Sequence, residues 1–317
     1  MKKTKKNKAK KITPLKAIVF TVLVVYSISI IFMLCWGFLT SLKSTIDFTD
    51  FKNHFGLPDS KYSSDEMLFA NYGYIWQNFQ LNVNGNSYYS LFGEHTVPTY
   101  RANFLTMLIN TAYYAGLLAF VQALVCMTMG YMTAKYKNKF AAVIVGTVYA
   151  LMALPIVGSQ PAEISLLMDL GVYNTYAGMF IHKFNYGGIY FLVFNAFFTA
   201  MSDTYIEAAE IDGASQFRVY TSIIIPLAAK MLVMVYLLYF ITAWNDYNTV
   251  LVYYPSFPTL SYGVWRMAQS NMGGDSDTQG VPQKFAGTMV LTIPLLVLFF
   301  SFRNYIMGNV STGGVKE

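Results

Sequence analysis

Long apolar runs separated by shorter polar stretches dominate this chain, and their spacing predicts membrane helices. The runs cover residues 15–41, 104–134, 140–157, 187–202, 227–254 and 285–302. The fourth is short for a crossing, and its helix is expected to begin earlier, near Tyr176. About 20 apolar residues of helix cross a bilayer. Backbone groups in lipid must be satisfied within the segment, which selects helices for runs of this kind. Barrel strands would be near ten residues long, with alternating polarity. The pattern therefore predicts an all-α integral membrane protein with six transmembrane helices.

The polar stretches organise the rest. Residues 1–14 form a basic N-terminus, 42–101 an extracellular loop or cap with a turn-rich centre at Asn82–Asn86, 102–303 a core of five further helices, and 304–317 a tail. Within the core, residues 203–226 form a polar island between the fourth and fifth helices, and 255–283 a glycine-rich outer loop. The stretch 155–183 is amphipathic and broken by Pro161 and Gly171, so it is expected to lie at the outer interface or to re-enter. No internal repeat is visible.

Composition agrees with a membrane chain. Charged residues make up 12% and hydrophobic ones 55%, whereas soluble domains carry about 25% charge. The net charge of +6 does not point to nucleic acid, because eight lysines fall in the first 16 residues, directly before the first apolar run. Lysines so placed hold that end in the cytoplasm and suit anionic lipid. Six crossings put 15 Lys and Arg residues on the inner side and seven on the outer, which sets both termini and the 203–226 island in the cytoplasm of a multi-pass cytoplasmic-membrane protein. The first run is too long for the core of a cleaved signal peptide and has no small-residue cleavage site. Cys35 and Cys126 lie in apolar runs and read as buried hydrophobes. No metal-ligand set, catalytic triad or carboxylate pair stands out.

The island carries the strongest local signal. Asp203 and Glu207 are expected in the first turns of a helix, where acidic groups suit the positive dipole end. Ala208 and Ala209 are small enough for a partner to approach closely. Gly213 is placed to end the helix at positive φ. Phe217, Tyr220 and Ile224 recur at helical spacing and predict an apolar face, and Pro226 is expected to stop this second segment before the fifth span.

Glu207-Ala208-Ala209, three residues, Gly213, nine residues, Ile223, then Ile225-Pro226 resembles the signature of permease subunits of binding-protein-dependent ABC importers, with Ile225 in place of the usual leucine. Asp212-Gly213-Ala214, Asn110-Thr111, Leu166–Thr175, Trp244-Asn245-Asp246-Tyr247 and Phe257–Leu260 resemble segments of the carbohydrate members, and the end of the chain resembles the tail of maltose-type subunits. The resemblance implies that Glu207, Ala208, Ala209, Asp212, Gly213, Phe217, Tyr220, Ile223 and Pro226 build a coupling helix that seats in an ATPase subunit. It implies a second, different permease subunit, two ABC ATPase subunits and an extracellular or periplasmic binding protein as partners. ATP and magnesium belong to the ATPase subunits; this chain has no phosphate-binding loop and no cofactor of its own. Gly273, Gly274 and Asp275 are implied as a binding-protein contact, and Thr312, Gly313, Gly314 and Lys316 as a tail between the ATPase subunits. The loop 43–101 is longer than the maltose type leads one to expect.

Polar groups within spans are costly in lipid and face protein or water. Asn110, Asn195, Trp244, Asn245 and Asp246 are therefore candidates for lining a pathway, with Asp246 also readable, and more readily, as a structural partner of another helix. His182 reads as a surface residue beside Lys183. The leading reading is a permease subunit of an ATP-driven carbohydrate importer. A permease for another solute and an integral-membrane enzyme acting on glycolipids are the alternatives.

Overall fold

A computed structural model describes residues 13–50, 53–59, 69–136, 138–154, 158–185, 187–269 and 280–308. The chain divides into two compact units, Met1–Tyr74 with Thr278–Met289 and Ile75–Asp277 with Val290–Glu317.

The first unit begins with α1 (Pro14–Ser41), which has proline in its first turn, where the missing N–H costs nothing. Its side chains are exposed along most of its length and become buried only near its end, at Gly37, Thr40 and Ser41. There the unit is closed by polar contacts. The buried Lys43 ammonium donates to the carbonyls of Asn53 (2.6 Å) and His54 (3.2 Å), and the Asn71 amide donates to those of Ser41 and Lys43, both at 2.8 Å. Trp36 meets Phe285 edge-on at 5.3 Å. A short helix α2 (Thr45–Thr49) is capped by Ser44, and α3 (Ala70–Asn78) follows.

The second unit opens with four strands: β1 (Gln80–Val83), β2 (Asn86–Ser90), β3 (Gly93–Val97) and β4 (Tyr100–Asn103). β1 pairs with β4 and β2 with β3, both antiparallel. Gln80 faces Asn103 and Asn86 faces Val97, so one register runs through both pairs and they form a single ribbon. Its ladder lapses where Pro98, which has no N–H, comes opposite Gly85. The turn-rich centre expected at Asn82–Asn86 is thus mostly strand, and the chain is helical with a β ribbon rather than all-α. The ribbon is tied down by the Tyr88 hydroxyl donating to the Tyr173 carbonyl (2.8 Å), Tyr100 to that of Ser256 (2.6 Å) and the Leu91 N–H to that of Asp169 (2.9 Å).

Helices follow: α4 (Phe104–Lys135), α5 (Lys139–Ala153), α6 (Gln160–Asp169), α7 (Tyr176–Lys183), α8 (Ile189–Ala200), α9 (Thr204–Ile211), α10 (Gln216–Asn245), α11 (Asn248–Tyr253), α12 (Leu260–Gln269) and α13 (Val281–Gly308). Four of them, α1, α4, α10 and α13 to Arg303, are long and apolar enough to cross a membrane. A fifth is obtained if α8 and α9, bent by 68°, count as one broken span. α5 is apolar but only 15 residues long.

Several boundaries differ from the sequence reading, each for a local reason. Pro226 does not stop the segment before the fifth span. α10 runs through it, because residues Tyr220–Ile224 form a π-helical turn. That wider turn accommodates a proline ring that would otherwise strike the carbonyl four residues back, at Ser222. The fifth apolar run breaks at Asp246, whose carboxylate accepts the Thr249 N–H (2.9 Å) and so opens α11 as a separate helix. α7 and α8 are likewise separate. Pro161 lies in the first turn of α6 and breaks nothing, whereas Gly171, at φ +69°, does end it.

α4 and α8 pack closely through Gly130, where a Cβ would fall 2.7 Å from the Phe194 Cβ. Around this crossing lies a core of Ala123, Met127, Tyr131, Phe194, Phe198, Leu232 and Val235. A second core, of Tyr114, Leu118, Met179, Trp244, Val250 and Tyr254, gathers near the break at Asp246.

Candidate functional site

The island grows out of the first core. Ala209, Val219 and Ile224 are buried in it beside residues of α4 and α8. α9 ends in a complete glycine-capped motif. The Gly213 N–H bonds the Glu210 carbonyl (3.0 Å) and the Ala214 N–H that of Ala209 (2.9 Å), with Gly213 at φ +77°. Ser215 then caps α10. The two helices are braced by Gln216, which accepts from the Tyr136 hydroxyl (3.0 Å) and donates to Glu210. The Tyr220 hydroxyl bonds Thr128 (2.5 Å), with its ring 5.4 Å from that of Tyr131.

The expected apolar face of the second segment therefore packs inward at Tyr220 and Ile224 but not at Phe217. Phe217 points outward and is 77% exposed, and Ile211 is 86% exposed. Glu207, Ala208, Asp212 and Gly213 are exposed as well, as is Pro226 further on. The island thus has an inner side fixed in the helix core and an outer side with two bare apolar side chains around a glycine turn. Asp203 does not cap α9 with its side chain. Its carboxylate pairs with Lys135, at 2.5 Å. A cleft of about 140 Å³ opens beside this pair, bounded by Tyr131, Tyr136, Ile206, Glu207, Glu210 and Gln216 among others.

The polar residues of the apolar runs are mostly engaged with protein. Asn110 is 1% exposed; its amide donates to the Pro258 carbonyl (3.0 Å) and its oxygen accepts from Tyr176 (2.8 Å). Neighbouring Thr111 accepts the Leu260 N–H (2.9 Å). Trp244 is buried and its indole N–H donates to the Leu291 carbonyl (3.1 Å). Asn195 donates to Thr133 (2.9 Å). Asn245 is exposed, its amide turned back to the Ile241 carbonyl (2.9 Å). Asp246 is half-buried and accepts from the Tyr114 hydroxyl at 2.8 Å. Tyr114 belongs to a second π-helical turn, Ala112–Leu117, and the Lys183 ammonium lies 4.5 Å from its ring centre. His182 is half-buried rather than a surface residue, its Nδ1 3.1 Å from the Tyr254 hydroxyl.

Sequence reasoning missed Lys135 and Lys183, which it counted only as loop charges, and Val219, which it passed over. The signal for the lysines was that each is the charge nearest one end of an apolar run, Lys135 after residues 104–134 and Lys183 before 187–202. Gly273, Gly274, Asp275, Thr312, Gly313, Gly314 and Lys316 lie outside the described residues. No group of three or more His, Cys, Asp or Glu side chains suited to a metal occurs among the described residues.

Comparison with known proteins gives this arrangement a context. The melibiose/raffinose/stachyose import permease protein MelC of Bacillus subtilis (strain 168) is 22% identical over 218 residues, covering 68% of this chain and 78% of that protein. The trehalose transport system permease protein SugB of Mycobacterium tuberculosis is 27% identical over 230 residues, covering 70% and 82%. The maltose/maltodextrin transport system permease protein MalG of Vibrio vulnificus is 26% identical over 235 residues, covering 71% and 76%. The fold is that of a chain in a solved bacterial ABC transporter involved in import of the acidic polysaccharide alginate, with TM-score 0.69, 19% identity and coverage of 95% of this chain and 99% of that one. Residues 126–311, which include the island, the Asp246 break and α12, match the binding-protein-dependent transport system inner membrane component family, and the chain belongs to that family.

Proposed function

We propose that this chain is one of two different permease subunits of an ATP-driven ABC importer for a carbohydrate, an oligosaccharide or a sugar derivative. It forms half of a translocation pathway with six crossings and both ends in the cytoplasm, α5 and α8 supplying the two crossings beyond the four long helices. The island 203–226 is its coupling helix: Ile211 and Phe217 enter a groove on an ATPase subunit, and Glu207 pairs with a basic group there. Two ATPase subunits bind ATP and magnesium and hydrolyse the ATP. A binding protein outside delivers the solute, with Gly273, Gly274 and Asp275 as its contact, and Thr312–Lys316 reach between the ATPase subunits. Of the polar span residues, exposed Asn245 and half-buried Asp246 and Asn195 face the path; Asn110 and Trp244 hold helices and loops in place behind it.

The observation that carries the reading is the two-sidedness of the island. Its inner residues share a core with α4, α8 and α10, while its outer side leaves two large apolar side chains bare. A push on such an element moves the helices rather than deforming a loop. The sugar relatives supply the solute class. The test is solute-dependent ATPase activity and uptake by the complete importer in proteoliposomes, across a panel of oligosaccharides and non-sugar solutes. Stimulation by sugars alone is expected; stimulation only by a non-sugar solute, or chemical alteration of the sugar, would overturn the carbohydrate permease reading.

A further inference from the structure

The joint between α8 and α9 is short, running only from Met201 to Asp203. It is bent by 68°, and one side chain from a third helix spans it. The Lys135 ammonium, 8% exposed, donates to the Met201 carbonyl (2.6 Å) and to the Asp203 carboxylate (2.5 Å). Met201 follows the last residue of α8, where the helix dipole leaves unpaired carbonyls that favour a cation. Asp203 is the residue before α9, and its side chain turns to Lys135 instead of capping its own helix. One buried charge thus holds the end of one helix, the start of the next and the cytoplasmic end of α4. Its polar partners satisfy it, as burial of a charge demands. Removing it would leave the short joint free to change its angle.

We infer that Lys135 is a positioning residue for coupling: it locks the elbow between the fourth crossing and the coupling helix to α4, so that force on α9 moves both crossings together. This rests on the docking role proposed above for the island. It adds a residue outside the family signature and assigns it the stiffness of the transmission rather than the contact with the ATPase.

The test uses the complete importer in proteoliposomes, carrying Lys135→Met, Lys135→Arg or Asp203→Asn. Two readouts are taken: solute moved per ATP hydrolysed, and the distance distribution between spin labels at Met132→Cys and Tyr205→Cys, both exposed positions, in a background of Cys35→Ser and Cys126→Ala. Lys135→Met is expected to retain the ATPase subunits, to broaden the distribution and to lower solute per ATP about fivefold or more, the low end of ordinary coupling energies. Lys135→Arg, which keeps the charge, is expected to restore both. A wild-type ratio and an unchanged distribution in Lys135→Met would overturn the inference, as would a Lys135→Arg chain as uncoupled as Lys135→Met. Should Lys135→Met fail to insert, Asp203→Asn carries the test, and unchanged values there overturn it. The docking reading fails differently: the unmutated chain would then not retain the ATPase subunits at all.

Discussion

The Tyr114 hydroxyl donates a 2.8 Å hydrogen bond to the Asp246 carboxylate, joining the π turn of α4 to the break that ends α10. Both partners sit where a long helix departs from regular geometry. Such departures in membrane helices are tolerated where protein contacts or a water-lined cavity satisfy the backbone. The bond fixes two irregular points against each other, and Lys183 over the Tyr114 ring balances the acid.

Removing that bond is expected to destabilise the chain. Tyr114→Phe keeps the ring and leaves a half-buried carboxylate oxygen without its donor, at a cost of about 1–3 kcal/mol. Asp246→Asn, which still accepts the bond, should cost less. Thermal unfolding of the purified complex in detergent checks the order; equal stability of Tyr114→Phe and wild type would show that the bond contributes nothing.

The glycine turn of the island gives a second expectation. Gly213 sits at φ +77°, a conformation that costs other residues about 1–2 kcal/mol, least for asparagine and aspartate. No neighbouring atom within 4 Å obstructs a Cβ there. Gly213→Val should therefore weaken the turn and lower copurification of the ATPase subunits, with Gly213→Asn affected less. Glu207→Ala should leave the turn intact and still lower ATPase retention. Full retention and transport in both Gly213→Val and Glu207→Ala would refute docking at this site.

The α4–α8 contact is sensitive to added volume. At Gly130 even a methyl group meets the Phe194 Cβ at 2.7 Å and the Asn195 backbone nitrogen at 3.0 Å. Backbone must move, since a Cβ cannot rotate away. Gly130→Ala is expected to cost about 1–3 kcal/mol and Gly130→Leu to abolish stable insertion, read as thermal midpoint and as yield of monodisperse complex. An unaffected Gly130→Leu would mean that the helices are not this close in the membrane.

Orientation is open to labelling. The excess of Lys and Arg on one side is the basis for proposing that both termini and the island are cytoplasmic. In a background without Cys35 and Cys126, an impermeant maleimide should reach Gly280→Cys in intact cells and Ser215→Cys only after permeabilisation. The reverse pattern would invert the topology.

Much of this architecture was legible in the sequence because the bilayer simplifies the code. Four long helices fall close to their apolar runs, and the Gly213 turn follows from a signature whose physical content is one positive φ. What the sequence concealed depends on contacts between distant elements. Phe217 and Tyr220 are both aromatic, and only the arrival of α4 on one side decides that Tyr220 is half-buried and Phe217 bare. Lys135 looks like any loop charge until the end of α8 is brought to it. The ribbon at residues 80–103 was hidden because its strands are short and polar, although its pairing is local, with Ser90 opposite Gly93 across the turn.

The π turn ahead of Pro226 has a consequence for how this helix accommodates change. A π turn holds one residue more than an α turn, and one residue rotates everything beyond it by about 100°. The phase of Leu232, Val235 and Trp244, all buried, is therefore set by an extra residue stored upstream. A single deletion within Tyr220–Ile224 would tighten that turn to an ordinary one and drive the ring of Pro226 against the backbone, whereas one further along α10 would turn its inner stripe away from α4. The helix has a single place where its length and its facing are adjusted independently, and that place lies between the island and the span.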